Sequence, residues 1–190
     1  RHKPAHQVLC SPRDNHPMET PLPDPIRNRV DESGLIALDL DQLAPKPNVR
    51  SLDLSTYLEQ GLILREKPFR TAMAELNAAD WDGSTVALHC ASDAILPDWA
   101  WMLATSKLTA LGARVCIGDE NRTRERLLLE AIEALDLEPY RDGRLVIKGC
   151  AQGTTAESLA RVIQRLQPVA LSIFYGEPCS TVPVYKRPKN

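Results

Sequence analysis

Short apolar runs alternate with longer amphipathic segments through the second half of the chain. Four apolar runs predict strands: STVALHC, ARVCIG, GRLVIKGC and ALSIFYG. Three segments between them have apolar residues three or four positions apart, which is typical of helices: PDWAWMLATSKLTALG, ENRTRERLLLEAIEAL and TAESLARVIQRL. Apolar strands that alternate with helices predict a mostly parallel sheet covered on both faces.

The pattern is weaker between residues 28 and 83. GLIALDL, VRSLDL and EQGLILR predict short strands, and KPFRTAMAELNAADW predicts a helix with Pro68 in its first turn, where a missing N–H costs little. The sequence shows no internal repeat. The predicted fold class is therefore α/β, with a three-layer, mostly parallel sheet, helices on both faces and a short N-terminal β-rich extension.

The beginning of the chain differs from everything that follows. Eight of the fifteen prolines lie before residue 48, and the opening stretch has almost no apolar periodicity. Such a segment buries too little surface to offset its ordering entropy. We predict a disordered leader over residues 1–26, with Met18 as a candidate start, and a single α/β domain over residues 27–190.

Composition narrows the class of protein. The 190 residues are 43% hydrophobic, with a formal net charge of −2 and a pI near 6.1. Because the basic residues are scattered and the net charge is small, we do not expect nucleic acid as a partner. No apolar run approaches the roughly 20 residues of a membrane helix. Five cysteines without a signal peptide favour reduced thiols in the cytoplasm. The oligomeric state stays open.

Three cysteines follow predicted strands. Cys90 and Cys150 are the last residues of two of them, and Cys179 comes three residues after the last strand. Parallel strands have their carboxyl ends at one edge, where open α/β sheets bind ligands. If the first of the four strands lies beside the third, and the third beside the fourth, the three thiols meet at one rim. Cys116 lies inside a strand, which favours a buried structural thiol.

Three converging thiols favour a metal site, because thiolates select zinc and iron–sulfur clusters over hard cations. With three cysteines one iron would remain open or take another ligand. Asp93, Glu177 and His89 are candidates for that position. The alternative is that small residues simply pack at strand ends, because the chain has no CxxC pair.

Two other classes of function remain open. A thiol enzyme or sulfur carrier would use Cys90 or Cys179, since a thiolate near a helix N-terminus has a lowered pKa. We do not expect His89 to act as the base for Cys90, because adjacent strand residues point to opposite faces. A metal-free protein-interaction module would instead dock through Trp99 or Trp101.

Five segments, in order, resemble the motifs of domain-of-unknown-function family 2480 (DUF2480), found mainly in Bacteroidetes-type bacteria: NRVDESGLIALDL, GLILREKPFR, ALHCASDAILPDWAWML, VIKGC and YGEPCSTVPVYK. The resemblance covers about residues 27 to 188. The family pattern includes the cysteines matching Cys90, Cys150 and Cys179, and genes of the family lie near those of sulfur-mobilisation (SUF) iron–sulfur assembly. The resemblance therefore implies iron–sulfur assembly proteins as partners, and it implies no reaction.

Overall fold

The structure is a computed structural model, and it describes residues 34–149, 152–177 and 180–188. The strands in chain order are β1 (Leu35–Asp39), β2 (Val49–Asp53), β3 (Leu58–Glu59), β4 (Ile63–Leu64), β5 (Thr85–His89), β6 (Arg114–Ile117), β7 (Arg144–Lys148), β8 (Ser172–Glu177) and β9 (Ser180–Lys186). The helices are α1 (Leu40–Leu43), α2 (Glu66–Glu75), α3 (Ala78–Trp81), α4 (Asp98–Ala110), α5 (Glu120–Glu133) and α6 (Ala156–Leu166). Short 3₁₀ turns cover Leu54–Tyr57 and Glu138–Tyr140.

The larger strands form two sheets of similar layout. The first sheet has the order β1-β7-β8-β9, in which β1, β7 and β8 are parallel and β9 is antiparallel to β8. The second sheet has the order β2-β5-β6 and is parallel throughout. In the first sheet, β1 lies at the edge beside β7, and α6 connects β7 to β8. In the second sheet, β2 lies at the edge beside β5, and α4 connects β5 to β6.

Local sequence explains where the helices begin. The Asp119 side chain caps α5 by accepting a hydrogen bond from the Arg122 amide. Thr155 and Ser158 form a capping box at the start of α6. From this start, α6 directs the apolar side chains of Val162 and Leu166 into the core.

The first apolar cluster lies on one face of the second sheet. Leu52, Val86 and Leu88 of the strands pack there with side chains of α2 and α4, which include Phe69, Met73, Ala100, Ala104 and Leu108. The alternating strand residues Ala87 and Cys116 are also buried, and α5 contacts all three strands. Both faces of this sheet are therefore covered by helices.

The second apolar cluster links α5 to the first sheet. Leu128 and Ile132 of α5 pack there with residues of β1, β7, β8 and α6, which include Leu38, Leu145, Ile147, Ile173, Val162 and Leu166. Each fully buried aliphatic side chain contributes about 1.5–3 kcal/mol to folding. Because α5 also contacts the second sheet, it packs against both sheets.

These layers confirm the predicted α/β class with parallel sheets and flanking helices. The expected N-terminal strands are β1 and β2, and each pairs into a parallel sheet. The segment EQGLILR is not one strand, because Gln60 and Gly61 have positive φ and turn the chain between β3 and β4. The helix expected up to Trp81 is interrupted at Asn77, which caps α3.

The strand order differs from the order that the convergence of the thiols required. The third and fourth predicted strands, β7 and β8, are neighbours as expected. The first, β5, lies between β2 and β6 and not beside β7. A pairing of β5 with β7 would need a free edge on each strand. Strand β1 occupies that edge of β7, and β2 occupies that edge of β5.

Two further observations concern the ends of the chain and its helices. The predicted leader lies outside the described residues, and its disorder stays a prediction. Across the described ranges, no helix combines the length and the apolar character that crossing a bilayer requires.

Candidate functional site

The carboxyl edge of the second sheet brings an aspartate beside a histidine. Asp53 and His89 end their strands and are register partners. The Asp53 carboxylate accepts hydrogen bonds from the Ser55 amide at 2.9 Å and the Ser55 hydroxyl at 2.7 Å. It also accepts one from the Ala91 amide at 3.0 Å. Burial acts to raise the pKa of Asp53, but these hydrogen bonds and the charge of His89 hold it below the ordinary value.

Cys90 follows His89 directly and lies in the turn that Asp53 contacts. Its thiol is partly buried against the first apolar cluster. The sulfur lies 3.3 Å from the Ser92 hydroxyl oxygen and donates to the Ser92 carbonyl at 3.6 Å. Nε2 of His89 instead lies 2.8 Å from Oγ of Ser51. The two neighbours therefore have different partners, as alternation along a strand predicts.

The carboxyl edge of the first sheet has a related arrangement. Asp39 and Lys148 are register partners, and their charged atoms lie 3.2 Å apart. Asp39 also caps α1 by accepting from the Asp41 amide at 2.9 Å. Burial acts to raise the pKa of Asp39, but the hydrogen bond and charge of Lys148 and the backbone hydrogen bonds lower it overall.

Gly149 follows this pair, and its conformation explains why it is glycine. Its φ is +101°, and an added Cβ would lie 3.1 Å from the Asp41 nitrogen and 3.2 Å from an Asp39 carboxylate oxygen. A side chain there would be both strained and crowded. The chain next reaches Cys150, which lies outside the described residues.

Helix α5 connects the two edges. It begins directly after β6, at the carboxyl edge of the second sheet. A Cβ at Gly153 would lie 2.6 Å from backbone atoms of Arg124 and Glu125, and the Thr155 hydroxyl donates to the Glu125 carboxylate. Arg124 is about 7.5 Å along the helix axis from the Asp119 cap. The segment after Cys150 therefore packs on α5 within two turns of the edge that carries Cys90.

A cleft lies beside this segment. Its volume is about 450 Å³, and it is lined by Asp41, Ala44, Pro45, Lys46, Pro47, Arg124 and Gln152. The cations Lys46 and Arg124 face one acid, Asp41, although Arg124 also approaches Glu120 at 3.8 Å. The cleft has the size of a small-ligand site, and its basic groups favour a ligand of negative charge.

The predicted site residues occupy different environments. Cys90 is at the rim, Asp93 is exposed in the loop after it, and Glu177 is exposed at the end of β8, where it pairs with Ser180. Cys150 and Cys179 lie outside the described residues. In the ranges that the structure describes, no three His, Cys, Asp or Glu side chains are grouped to hold a metal ion. The ligand set of Cys90, Cys150, Cys179, Asp93 and Glu177 therefore stays a prediction.

A loop separates Cys90 from the helix that follows it. Helix α4 begins at Asp98 with Pro97 as its cap residue. The hydrogen-bonding partner of the Cys90 thiol is Ser92, several residues before that helix.

Sequence reasoning missed the two aspartates at the strand ends. Both belong to a Leu-Asp-Leu triplet, at residues 38–40 and 52–54, and both cap a short helical turn that follows. The repeated triplet was a usable signal, because aspartate after an apolar strand is a preferred capping residue.

Comparisons with known proteins give one match. The model of a family described as "Protein of unknown function (DUF2480)" matches residues 24–187. No curated protein and no solved structure matches the chain.

Proposed function

The chain belongs to the DUF2480 family, and on that premise we propose that it binds an iron–sulfur cluster or zinc through Cys90, Cys150 and Cys179. Asp93 or Glu177 would supply a further ligand or contact the bound group. We also propose that it acts in the cytoplasm as an accessory factor in iron–sulfur cluster assembly, with assembly proteins as its partners.

One observation carries the proposal: α5 joins the rim that bears Cys90 to the segment that follows Cys150. Gly153 packs on the backbone of Arg124 and Glu125, in the second turn of the helix that leaves the rim of β5 and β6. The described parts of β7 and β8 are adjacent and end two residues before Cys150 and Cys179, respectively. In the sequence, each of the three cysteines therefore follows the end of a strand by one or two residues, which supports the proposal.

The chemistry of the surroundings supports a soft metal. Thiolates favour zinc and iron–sulfur clusters, and Cys90 is partly exposed at the rim. Lys46 and Arg124 of the neighbouring cleft would offset the negative charge that thiolates bring to a bound group. Asp93, exposed beside Cys90, would supply a hard oxygen ligand where one coordination position stays free of sulfur.

The first experiment measures iron, zinc and acid-labile sulfide, with a visible spectrum, on protein purified without oxygen and without a metal-affinity step. The variants are Cys90→Ser, Cys150→Ser and Cys179→Ser, and the matched control is Cys116→Ala, whose thiol is buried within β6. Iron with sulfide, or zinc near one per chain, should be present in the wild type and the control and lost from the serine variants.

A well-folded wild type that contains neither metal would contradict the proposal. Retention of the metal in all three serine variants would contradict the ligand set. The role in assembly is tested by mixing the metal-free protein with a cluster-loaded scaffold protein and following the visible circular dichroism. A spectrum that stays the same as that of the scaffold alone would argue against this role.

A further inference from the structure

We infer that Asp53 is a positioning residue for Cys90, and that its carboxylate fixes the turn that presents the sulfur at the rim. That Cys90 acts as a metal ligand is part of the proposed function, and the inference rests on it for that point. The contact that carries it lies entirely within the described residues and is independent of any metal.

The register of the second sheet creates the contact. Asp53 pairs with His89, so its side chain lies where the chain leaves β5 and enters the turn. Oδ1 of Asp53 accepts the Ala91 amide at 3.0 Å. That N–H belongs to the peptide bond between Cys90 and Ala91, and the carboxylate therefore restrains the backbone on the carboxyl side of the cysteine.

The carboxylate is itself restrained. The Ser55 amide donates to Oδ1 at 2.9 Å, and the Ser55 hydroxyl donates to Oδ2 at 2.7 Å. An aspartate is ionised at neutral pH, and charge-assisted hydrogen bonds are stronger than neutral ones. The group that restrains the turn is thus both fixed in place and charged.

The turn then holds the sulfur through Ser92. Oγ of Ser92 lies 3.3 Å from the Cys90 sulfur and accepts the Ala94 amide at 3.4 Å. A chain of contacts runs from Asp53 through Ala91 to the turn and the thiol. Without the carboxylate, the Ala91 amide would need water as its partner, and the turn would lose its attachment to β2.

The test compares Asp53→Ala, Asp53→Asn and the control Asp136→Ala. Asp136 also accepts an amide two residues ahead, that of Glu138 at 3.1 Å, but it precedes β7 and lies away from the rim. The rate at which iodoacetamide alkylates Cys90 is measured by peptide mass spectrometry on metal-free protein from pH 6 to 10. Metal affinity is measured separately by competition with a chelator.

We expect Asp53→Ala to raise the limiting alkylation rate of Cys90 at high pH severalfold, because the released turn exposes a partly buried thiol. Asp53→Asn keeps an oxygen acceptor for the Ala91 amide and should return the limiting rate to that of the wild type. Metal affinity of Asp53→Ala should fall about 10–100-fold, the range typical of residues that orient ligands. Asp136→Ala should change none of these.

Wild-type alkylation in Asp53→Ala, or an equal change in Asp136→Ala, would overturn the inference. If Asp53→Ala does not fold by circular dichroism, Asp53→Ser decides, because serine still caps the turn at Ser55 but its shorter side chain loses the contact with the Ala91 amide. A wild-type alkylation rate in Asp53→Ser overturns the inference. A wild type that binds no metal contradicts the proposed function alone, because the alkylation rates still test Asp53. If Asp53→Ala binds metal as tightly as the wild type and its Cys90 is alkylated at the wild-type rate, only this inference is contradicted, and the proposed function stands.

Discussion

At the scale of single residues, two aspartates at strand ends, Asp39 and Asp53, have charges that the fold stabilises. Asp39 and Asp53 both accept a backbone amide two residues ahead, and both have pKa values below their ordinary value. On the neighbouring strands, Asp39 faces Lys148 and Asp53 faces His89. Because the folded state lowers both aspartate pKa values, the ionised aspartates stabilise it.

Replacing Asp39 by asparagine should make this stabilisation visible as a pH dependence. Because the folded pKa lies below the unfolded one, the contribution of the charge is fully present above about pH 4. It is lost as the pH falls through the folded pKa. We expect the wild type to be more stable than Asp39→Asn by about 1 kcal/mol at pH 7, since asparagine still caps α1 but loses the pairing with Lys148.

The measurement is urea unfolding at pH 7 and at pH 2.5. The difference in the free energy of unfolding between the wild type and Asp39→Asn should shrink at the lower pH. A difference that is the same at both pH values would mean that the charge of Asp39 does not contribute to folding.

At the scale of elements, the packing of the segment after Cys150 on α5 depends on one glycine. Gly153 has a φ of +94°, and its Cα faces the backbone of Arg124 and Glu125, which cannot move aside as a flexible side chain would. Gly153→Ala should therefore lower the free energy of unfolding by about 3 kcal/mol through strain and overpacking. A thermal melt compares it with Gly34→Ala, where φ is also positive and space is open. Equal losses in both variants would show that strain alone explains the effect.

The hydrophobic pattern predicted most elements, because strongly periodic segments need little information from elsewhere in the chain. Helices α4, α5 and α6 and strands β5 to β8 follow the runs from which they were expected. Strand β9 was missed, although it alternates and contains Pro183, which an edge strand tolerates. The tip of the β3–β4 hairpin was missed because an apolar run concealed its turn.

The strand order was beyond the reach of local pattern. Nothing in the β5 segment STVALHC specifies β2 rather than β7 as a neighbour, because both candidate partners are five-residue strands that end in a charged residue. The choice of neighbour depends on which helices cover each face of a sheet. Helix α5 contacts both sheets, and such contacts are not visible in the local sequence. The position of Cys90 at a carboxyl strand end was predictable, whereas its relation to the other cysteines was not.

At the scale of the whole molecule, α5 should make the two sheets unfold together. All three tryptophans, Trp81, Trp99 and Trp101, lie in or against the first cluster, so their fluorescence reports on the second sheet. Leu128 is fully buried in the second cluster. Leu128→Ala should lower the free energy of unfolding by about 2–5 kcal/mol.

In urea, tryptophan fluorescence and far-ultraviolet circular dichroism of Leu128→Ala should shift to the same lower midpoint, because the damage in one cluster reaches the other through α5. Ala104, in the first cluster, offers a reciprocal variant, Ala104→Gly. A fluorescence midpoint that stays at the wild-type value while the dichroism changes earlier would show that the sheets are independent units.

The pairing of early strands with late ones also has a consequence for synthesis on the ribosome. Strand β2 meets β5 after about thirty further residues, but β1 ends at Asp39 and its partner β7 begins at Arg144. At about 5–20 residues per second, β1 leaves the ribosome several seconds before β7 exists. The strands of the second sheet are therefore all synthesised before β7, and the first sheet closes only after β7 and β8 have been made.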